Sequence, residues 1–170
     1  MTKTKNGLIF LWLSAVIIVL DLGSKYLITR TFELYESVQL LPIFNLTYVR
    51  NYGAAFSFLS DHNGWQKYFF IIIAIVISAI LIYWLARTPA NRTLANCGYA
   101  SIIGGALGNM LDRTYNGFVV DFFDVYWDIY HYPVFNVADI AVTLGAAMLI
   151  LDHFKHPEPQ NKDKNENLTR

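Results

Sequence analysis

Four long runs of apolar residues alternate with polar segments along the chain. The runs cover residues 8–28, 68–86, 94–111 and 133–151. A helix rises about 1.5 Å per residue and the hydrocarbon core of a bilayer is roughly 30 Å thick, so each run is long enough to cross it. Pro133 suits the first turn of the fourth helix, where its missing N–H is no loss. The pattern therefore predicts a membrane all-α bundle of four transmembrane helices.

The two longer connections between these runs are not ordinary loops. Residues 43–51 (IFNLTYVRN) are rich in β-forming side chains, and residues 118–132 (FVVDFFDVYWDIYHY) are dense in aromatic rings. Tryptophan and tyrosine favour the interface between membrane and water. We therefore expect a small extended or β platform on the outer side of the membrane.

The distribution of lysine and arginine predicts the orientation of the bundle. Lys3 and Lys5 precede the first run, Arg87 and Arg92 lie in the short connection between the second and third, and further cations follow the fourth. Under the positive-inside rule these segments face the cytoplasm. We expect a multi-pass membrane protein with both termini in the cytoplasm, whose first run is retained as an anchor. Residues 1–154 then form one membrane domain, and residues 155–170 form a polar, disordered cytoplasmic tail.

Composition supports a membrane protein and excludes several other classes. The chain is 55% hydrophobic and 15% charged, whereas an ordinary soluble domain is about a quarter charged. A net charge of zero gives no indication of a nucleic-acid partner. The single cysteine, Cys97, excludes an internal disulfide and cysteine-cluster metal sites, and the histidines show no metal-ligand spacing. We therefore expect neither a metal nor a cofactor.

Polar side chains occur inside the apolar runs at one shared level, close to the outer face. An aspartate near the centre of a span costs about 2.5–3.5 kcal/mol even on insertion scales, so such residues are functional candidates by default. The set comprises Asp21 and Lys25 in the first run, Asn109, Asp112 and Arg113 at the end of the third, and Asn136 and Asp139 in the fourth. Three helices therefore deliver polar groups to one shallow layer.

These residues alone leave several interpretations open. Asp21 and Lys25 are four positions apart on one helix face, so a purely structural ion pair explains them as well as a functional role does. Asp139 has no cation nearby in the sequence, so it is protonated or functional, as a catalytic acid or as a proton carrier of a transporter. Gly104 and Gly108 form a small-xxx-small pair typical of helix packing, which a non-enzymatic assembly protein also uses.

Five sequence blocks reduce these alternatives. They are, in order, DLGSK (21–25), RNYGAAF (50–56), GNMLDR (108–113), VVDFFD (119–124) and FNVAD (135–139). With these blocks the chain resembles the bacterial lipoprotein signal peptidases, the type II signal peptidase family of intramembrane aspartic proteases. The resemblance covers nearly the whole chain as far as the fourth run. It implies an aspartic endopeptidase that removes signal peptides from diacylglyceryl-modified prolipoproteins and cleaves just before the lipidated cysteine.

The resemblance also assigns roles to residues. It implies that Asp121 and Asp139 are the catalytic dyad near the outer face. The residues implied to bind substrate are Asn51, Asn109, Arg113 and Asn136, and the supporting residues are Asp21, Lys25, Gly53 and Asp112. We expect a monomer whose partners are membrane lipids and prolipoprotein signal peptides. We further expect Asp121 on a loop that closes over the substrate, with the neighbouring Asp124 and Asp128 in solvent.

Overall fold

The computed structural model of the protein describes residues 6–53 and 64–156. Its elements, in chain order, are a short 3-10 helix (Gly7–Phe10), α1 (Leu11–Thr31), β1 (Ser37–Leu41), β2 (Phe44–Asn51), α2 (Trp65–Arg87), α3 (Thr93–Asn116), β3 (Val119–Trp127), β4 (Tyr130–His131) and α4 (Val137–Lys155). Lys3, Lys5 and residues 157–170 of the predicted tail lie outside the described residues, whereas Lys155, the first residue of that tail, ends α4.

The structure has a membrane-type fold with three to four apolar helices. Within the described ranges, the helical segments Gly7–Thr31, Trp65–Arg87 and Val137–Lys155 are long and apolar enough to cross a bilayer. Helix α3 is also long, at 24 residues, but it is rich in glycine and asparagine and does not reach the same apolarity. Length and apolarity thus support three of the four predicted transmembrane helices among the described residues.

The reason for this difference is the position of α3 at the centre of the bundle. Helix α3 packs against α1, α2 and α4, so much of its surface faces protein rather than lipid. A side chain on Gly105 would place its Cβ 2.4 Å from the backbone oxygen of Ala138 on α4. The glycines that lower the apolarity of α3 therefore allow the close helix contacts that the small-xxx-small pattern indicates.

The predicted β platform is present as a small antiparallel sheet. Its strand order is β1-β2-β3-β4, and β2 pairs with β3 so that Val49 lies opposite Asp121 and Asn45 lies opposite Asp124. The sheet corrects one expectation, because Asp121 lies within strand β3 and not on a loop. The hydrogen-bonded ladder with β2 therefore fixes the backbone at Asp121 without any loop closure.

The sheet is anchored on α1 by a small apolar core. The buried members of this core are Ile28 at the end of α1, Tyr48 on β2, and Val120 and Phe122 on β3. Val120 and Phe122 flank Asp121, so the burial of these side chains also holds the strand that carries this acid. The packing thus sets the position of the sheet relative to the helices.

Helix α4 begins four residues later than the apolar run predicted. Phe135 forms an antiparallel bridge with Phe123, which keeps the chain extended, and Asn136 then caps a helix that begins at Val137. Pro133 consequently lies outside the helix, contrary to its predicted place in the first turn. The delay places Asp139 in the first turn of α4, at the edge of the bundle beside the sheet.

Candidate active site

A cavity of about 470 Å³ lies among α2, α3, α4 and the sheet. Its polar lining consists of Asn51, Asn109, Arg113, Asp121, Asp139 and Thr143, and its apolar lining includes Phe70, Ile73, Ile77, Met110, Tyr132 and Val142. The cavity therefore brings together both predicted acids and three of the four predicted substrate-binding residues. The fourth, Asn136, does not line the cavity but hydrogen-bonds the side chain of Asp121 and the backbone of Asp139.

Asp121 is held by two amide groups in a buried position. Its side chain is 3% exposed. The Nδ2 group of Asn51 donates to Oδ2 at 3.0 Å, and the Nδ2 group of Asn136 donates to Oδ1 at 2.6 Å. Burial raises the pKa of Asp121 to about 7; the negative charge of Asp139 acts in the same direction, and the two amide donors oppose it. Asp121 is therefore a carboxyl group that exchanges its proton near neutral pH.

Asp139 is held by the start of helix α4. It is the third residue of the helix and forms a capping box with Asn136. The backbone N–H of Asn136 donates to its Oδ2 at 3.1 Å, and the Nδ2 group of Asn109 donates to its Oδ1 at 2.9 Å. This geometry satisfies two backbone donors of the helix N-terminus and fixes the carboxylate in one orientation.

Asn136 connects the two acids directly. Its Nδ2 group donates to Asp121, and its Oδ1 accepts the backbone N–H of Asp139 at 3.0 Å. The Asn109 Oδ1 lies 3.1 Å from the same Nδ2 group. One buried amide therefore sets the relative position of a strand-borne acid and a helix-borne acid.

A buried lysine lies behind this layer. Lys25 Nζ donates to Asp21 Oδ2 and to Asn109 Oδ1, each at 2.8 Å, and lies 3.5 Å from Asp112 Oδ2. The predicted Asp21–Lys25 ion pair is therefore present and fully buried. Because Lys25 only donates, it turns the carbonyl end of Asn109 toward itself and the amide end toward Asp139.

The two supporting acids also bind the backbone beside Asp121 and Asp139. Asp21 Oδ1 accepts the N–H of Ala138 at 3.0 Å, and Asp112 Oδ2 accepts the N–H of Val120 at 2.8 Å. Ala138 precedes Asp139 in the chain, and Val120 precedes Asp121. The supporting acids thus fix the two backbone segments that carry the candidate dyad.

Arg113 lines the cavity and holds Gly53 beside it. Arg113 Nη2 donates to the Gly53 oxygen at 2.8 Å, and the Gly53 N–H donates to Asn51 Oδ1 at 3.0 Å. The guanidinium lies 4.9 Å from the ring centre of Phe70, and its Nε is enclosed without an acceptor among the described residues. Arg113 therefore orients the backbone that follows β2. The rest of the RNYGAAF block, residues 54–56, lies outside the described ranges.

Asp124 contradicts the expectation that it is solvated. It is 3% exposed and accepts from Thr47 Oγ1 at 3.1 Å and Asn45 Nδ2 at 3.3 Å, and it pairs with His131 Nδ1 at 2.7 Å. These contacts hold strands β2, β3 and β4 together. Asp128, by contrast, is exposed in the turn between β3 and β4, as predicted.

The apolar lining of the cavity had no distinct signal in the sequence. Phe70, Ile73 and Ile77 belong to an uncharged run in which every position looks alike. Tyr132 could be identified only in part, as an aromatic residue directly before Pro133 in the segment expected at the membrane interface. Among residues 6–53 and 64–156, no three His, Cys, Asp or Glu side chains are close enough together to hold a metal ion.

Comparison with known proteins agrees with this architecture. The sequence model of the family described as signal peptidase (SPase) II matches residues 13–155. The chain is 69% identical to the lipoprotein signal peptidase of Pasteurella multocida over 163 residues, covering 95% of this chain and 99% of the relative. It is 64% identical to that of Haemophilus influenzae strain Rd over 160 residues, covering 94% of each.

The fold is also similar to a solved structure of a bacterial membrane enzyme. The TM-score is 0.77 at 30% sequence identity, and the match covers 90% of this chain and 92% of the solved one. The family match over residues 13–155 includes every residue that lines the cavity. The chain therefore belongs to the signal peptidase II family.

Proposed function

We propose that this membrane protease is an aspartic endopeptidase with Asp121 and Asp139 as its catalytic dyad. It removes signal peptides from diacylglyceryl-modified prolipoproteins and cleaves just before the lipidated cysteine. The observation that carries the proposal is the pairing of two acids from different elements on one cavity, joined through the side chain of Asn136. Neither a metal nor another cofactor takes part in this mechanism.

The dyad activates water by sharing one proton. Two carboxyl groups at one site do not both ionise easily, so one pKa rises toward neutrality. The ionised member removes a proton from water while the protonated member polarises the scissile carbonyl and then protonates the leaving amine. The two titrations belong to the pair as a whole, so the proton is not assigned to either acid.

The surrounding amides and charges keep the dyad in a reactive arrangement. Asn51, Asn109 and Asn136 each donate to a carboxylate oxygen, and Lys25 holds Asn109 in the orientation that does so. Fixed donors of this kind need no reorganisation during the reaction, which is the usual source of electrostatic catalysis. Asp21, Gly53 and Asp112 support the backbone, and Arg113 borders the substrate path.

The cavity also suits an apolar, lipid-linked substrate. Its wall between α2 and α4 is made of apolar side chains such as Phe70, Ile77 and Val142, which fit a signal peptide and acyl chains. Substrate backbone in such a site lacks water and needs polar partners. Asn51 and Arg113 supply them at the polar edge, so we propose that both bind the extended peptide near the cleavage point.

The placement in the cell follows from the same arrangement. We propose four membrane crossings, with α3 as the central one, both termini in the cytoplasm, and the sheet and dyad at the outer face of the inner membrane. One domain spanning residues 1–154 then acts as a monomer, with residues 155–170 as a cytoplasmic tail. A signal peptide that enters from the membrane would meet the dyad near the outer leaflet.

The proposal is tested with purified protein and a diacylglyceryl-modified precursor. Asp121→Asn and Asp139→Asn should each lower the rate of cleavage by about 10²-fold or more, the usual scale for acid–base groups. Asp124→Asn is the matched control, because Asp124 is equally buried and lies on the same strand but bonds only within the sheet. Product analysis should place the lipidated cysteine at the new N-terminus.

Two results would contradict the proposal. One is full activity of either dyad variant that keeps the thermal unfolding midpoint of the wild type. The other is proton or ion flux through reconstituted protein without any proteolysis, which would favour a transporter.

A further inference from the structure

A second cavity lies at the end of the bundle opposite the candidate dyad. It measures about 480 Å³ and is located where α2 ends, α3 begins and α4 ends. Its lining includes Trp84, Arg87, Arg92, Tyr99, Asp152 and His156, together with His153 and a few small or apolar residues. None of these residues contributes to the proposed catalytic site, so this cavity requires a separate explanation.

The charges around this cavity leave an excess of positive charge. The two arginines face a single carboxylate, that of Asp152. Asp152 is ion-paired with Arg92 through Nη2, and its other oxygen lies 3.4 Å from His156 Nδ1. The carboxylate is therefore already satisfied by its neighbours on α3 and α4. The other titratable groups that line the cavity, Tyr99 and His153, add no negative charge at neutral pH.

Arg87 carries the unmatched charge. No carboxylate lies within ion-pair distance of it in the described ranges, and its guanidinium lies 4.8 Å from the ring centre of Tyr83. Stacking on a ring holds an arginine in place without neutralising it. The Nε of Arg92 is also enclosed without an acceptor among the described residues. A bound anion would neutralise the unmatched charge of Arg87.

The location of the cavity favours one source for that anion. Membrane helices end at the level of the lipid headgroups, where aromatic side chains collect. Trp84 and Tyr99 line this cavity with their ring centres 6.1 Å apart, and Trp84 is 48% exposed. An anionic phospholipid presents a phosphate at this depth while its acyl chains remain beside the apolar helices.

We propose that this cavity binds the headgroup phosphate of an anionic phospholipid, with Arg87 and Arg92 as its ligands. Arginine suits this role because its planar group donates two hydrogen bonds to phosphate oxygens. The site ties the ends of α2, α3 and α4 to the membrane on the side away from the chemistry. The inference does not depend on the proposed catalytic mechanism.

Native mass spectrometry of the delipidated full-length protein in detergent tests the proposal. The wild type should bind dioleoyl phosphatidylglycerol more tightly than dioleoyl phosphatidylcholine. Arg87→Gln should weaken phosphatidylglycerol binding about fivefold, the effect of one cation at a charged headgroup. Arg30→Gln is the matched control, since Arg30 also stacks on a tyrosine, with its Cζ 5.2 Å from the ring centre of Tyr26, but lies at the end of α1. Arg92 is unsuitable, because its loss would leave Asp152 buried without its partner.

The outcomes separate a lipid site from its alternatives. Unchanged lipid binding in Arg87→Gln, or an equal loss in Arg30→Gln, would overturn the proposal in favour of general charge attraction. Displacement of the lipid by millimolar inorganic phosphate would show a site for free anions instead. Proteolytic activity in detergent and the thermal unfolding midpoint should remain at the wild-type level in Arg87→Gln, because Arg87 touches neither the dyad nor a buried partner.

Discussion

At the scale of single residues, Asp121 is subject to opposing forces. Burial and the neighbouring charge of Asp139 disfavour its ionised form, whereas the amides of Asn51 and Asn136 favour it. The balance raises the pKa of Asp121 to about 7. A dyad needs one proton between its members, so the raised pKa keeps that proton present up to neutral pH.

This balance predicts the pH dependence of cleavage. Activity should fall as pH rises through about 7, because the pair then loses its last proton and with it the general acid. Asn51→Ala removes a donor to the ionised form of Asp121, so it should raise the pKa further and move the alkaline limb to higher pH. The measurement is the pH profile of kcat/KM for a lipidated precursor.

A matched substitution on the same strand controls for the loss of an amide. Asn45→Ala removes a donor to Asp124 instead of Asp121. Its alkaline limb should coincide with that of the wild type. A limb that moves to lower pH in Asn51→Ala would contradict the role assigned to that hydrogen bond.

At the scale of elements, the contact between α3 and α4 determines where Asp139 lies. The two helices are so close that a Cβ atom added at some glycines would lie less than 3.0 Å from an atom of the other helix. These glycines are Gly98 and Gly105 on α3 and Gly145 on α4. Gly105 faces the backbone oxygen of Ala138, the residue before Asp139. The small residues of α3 therefore bring α4 close enough for Asn109 to reach Asp139.

This contact predicts that Gly105→Ala destabilises the protein. The added methyl group would lie 2.4 Å from the Ala138 oxygen, so the helices must separate. Overpacking typically lowers the free energy of unfolding by about 1–3 kcal/mol. The higher helix propensity of alanine offsets at most about 1 kcal/mol of this loss. We expect a lower thermal unfolding midpoint in detergent and a lower rate of cleavage.

Gly23→Ala is the control within the same fold. It lies in helix α1 with no atom within 4 Å of an added Cβ, so it gains helix propensity without a clash. Its unfolding midpoint should be unchanged or higher. An equal loss of stability in both variants would show that close approach of α3 and α4 is not the cause.

At the scale of the whole molecule, the candidate dyad and the Arg87–Arg92 cavity lie at opposite ends of the bundle. The sheet and the candidate dyad lie at one end, and Arg87 and Arg92 lie at the other, around the connection between α2 and α3. Under the positive-inside rule we expect the end that bears Arg87 and Arg92 to face the cytoplasm. The sheet and the dyad then face outward.

Cysteine labelling of intact cells tests this orientation. In a Cys97→Ala background, Ile129→Cys in the exposed turn between β3 and β4 should react with a membrane-impermeant maleimide. Asn91→Cys, in the exposed connection between α2 and α3, should react only after the membrane is permeabilised. The reverse pattern would place the dyad in the cytoplasm and contradict the proposed access of the signal peptide.

Local features of the sequence were sufficient for three of the membrane helices and for the platform, and they marked candidate residues for the site. Bilayer thickness fixes the length of an apolar span, so α1, α2 and α4 are evident from composition alone. An acid such as Asp139 is costly in such a span, which marks it regardless of the neighbouring helices. Asp121 was singled out only by its block, VVDFFD, because by composition it resembles Asp124 and Asp128.

Only the tertiary structure decided how these parts meet. The strand position of Asp121, the burial of Asp124 and the late start of α4 all depend on pairing between segments far apart in the chain, such as Phe123 with Phe135. The lower apolarity of α3 is likewise explained only by its contacts with α1, α2 and α4, which cover it with protein instead of lipid. The hydropathy of a segment indicates whether it lies in lipid or in water. Strand register and helix contacts determine which polar groups become neighbours.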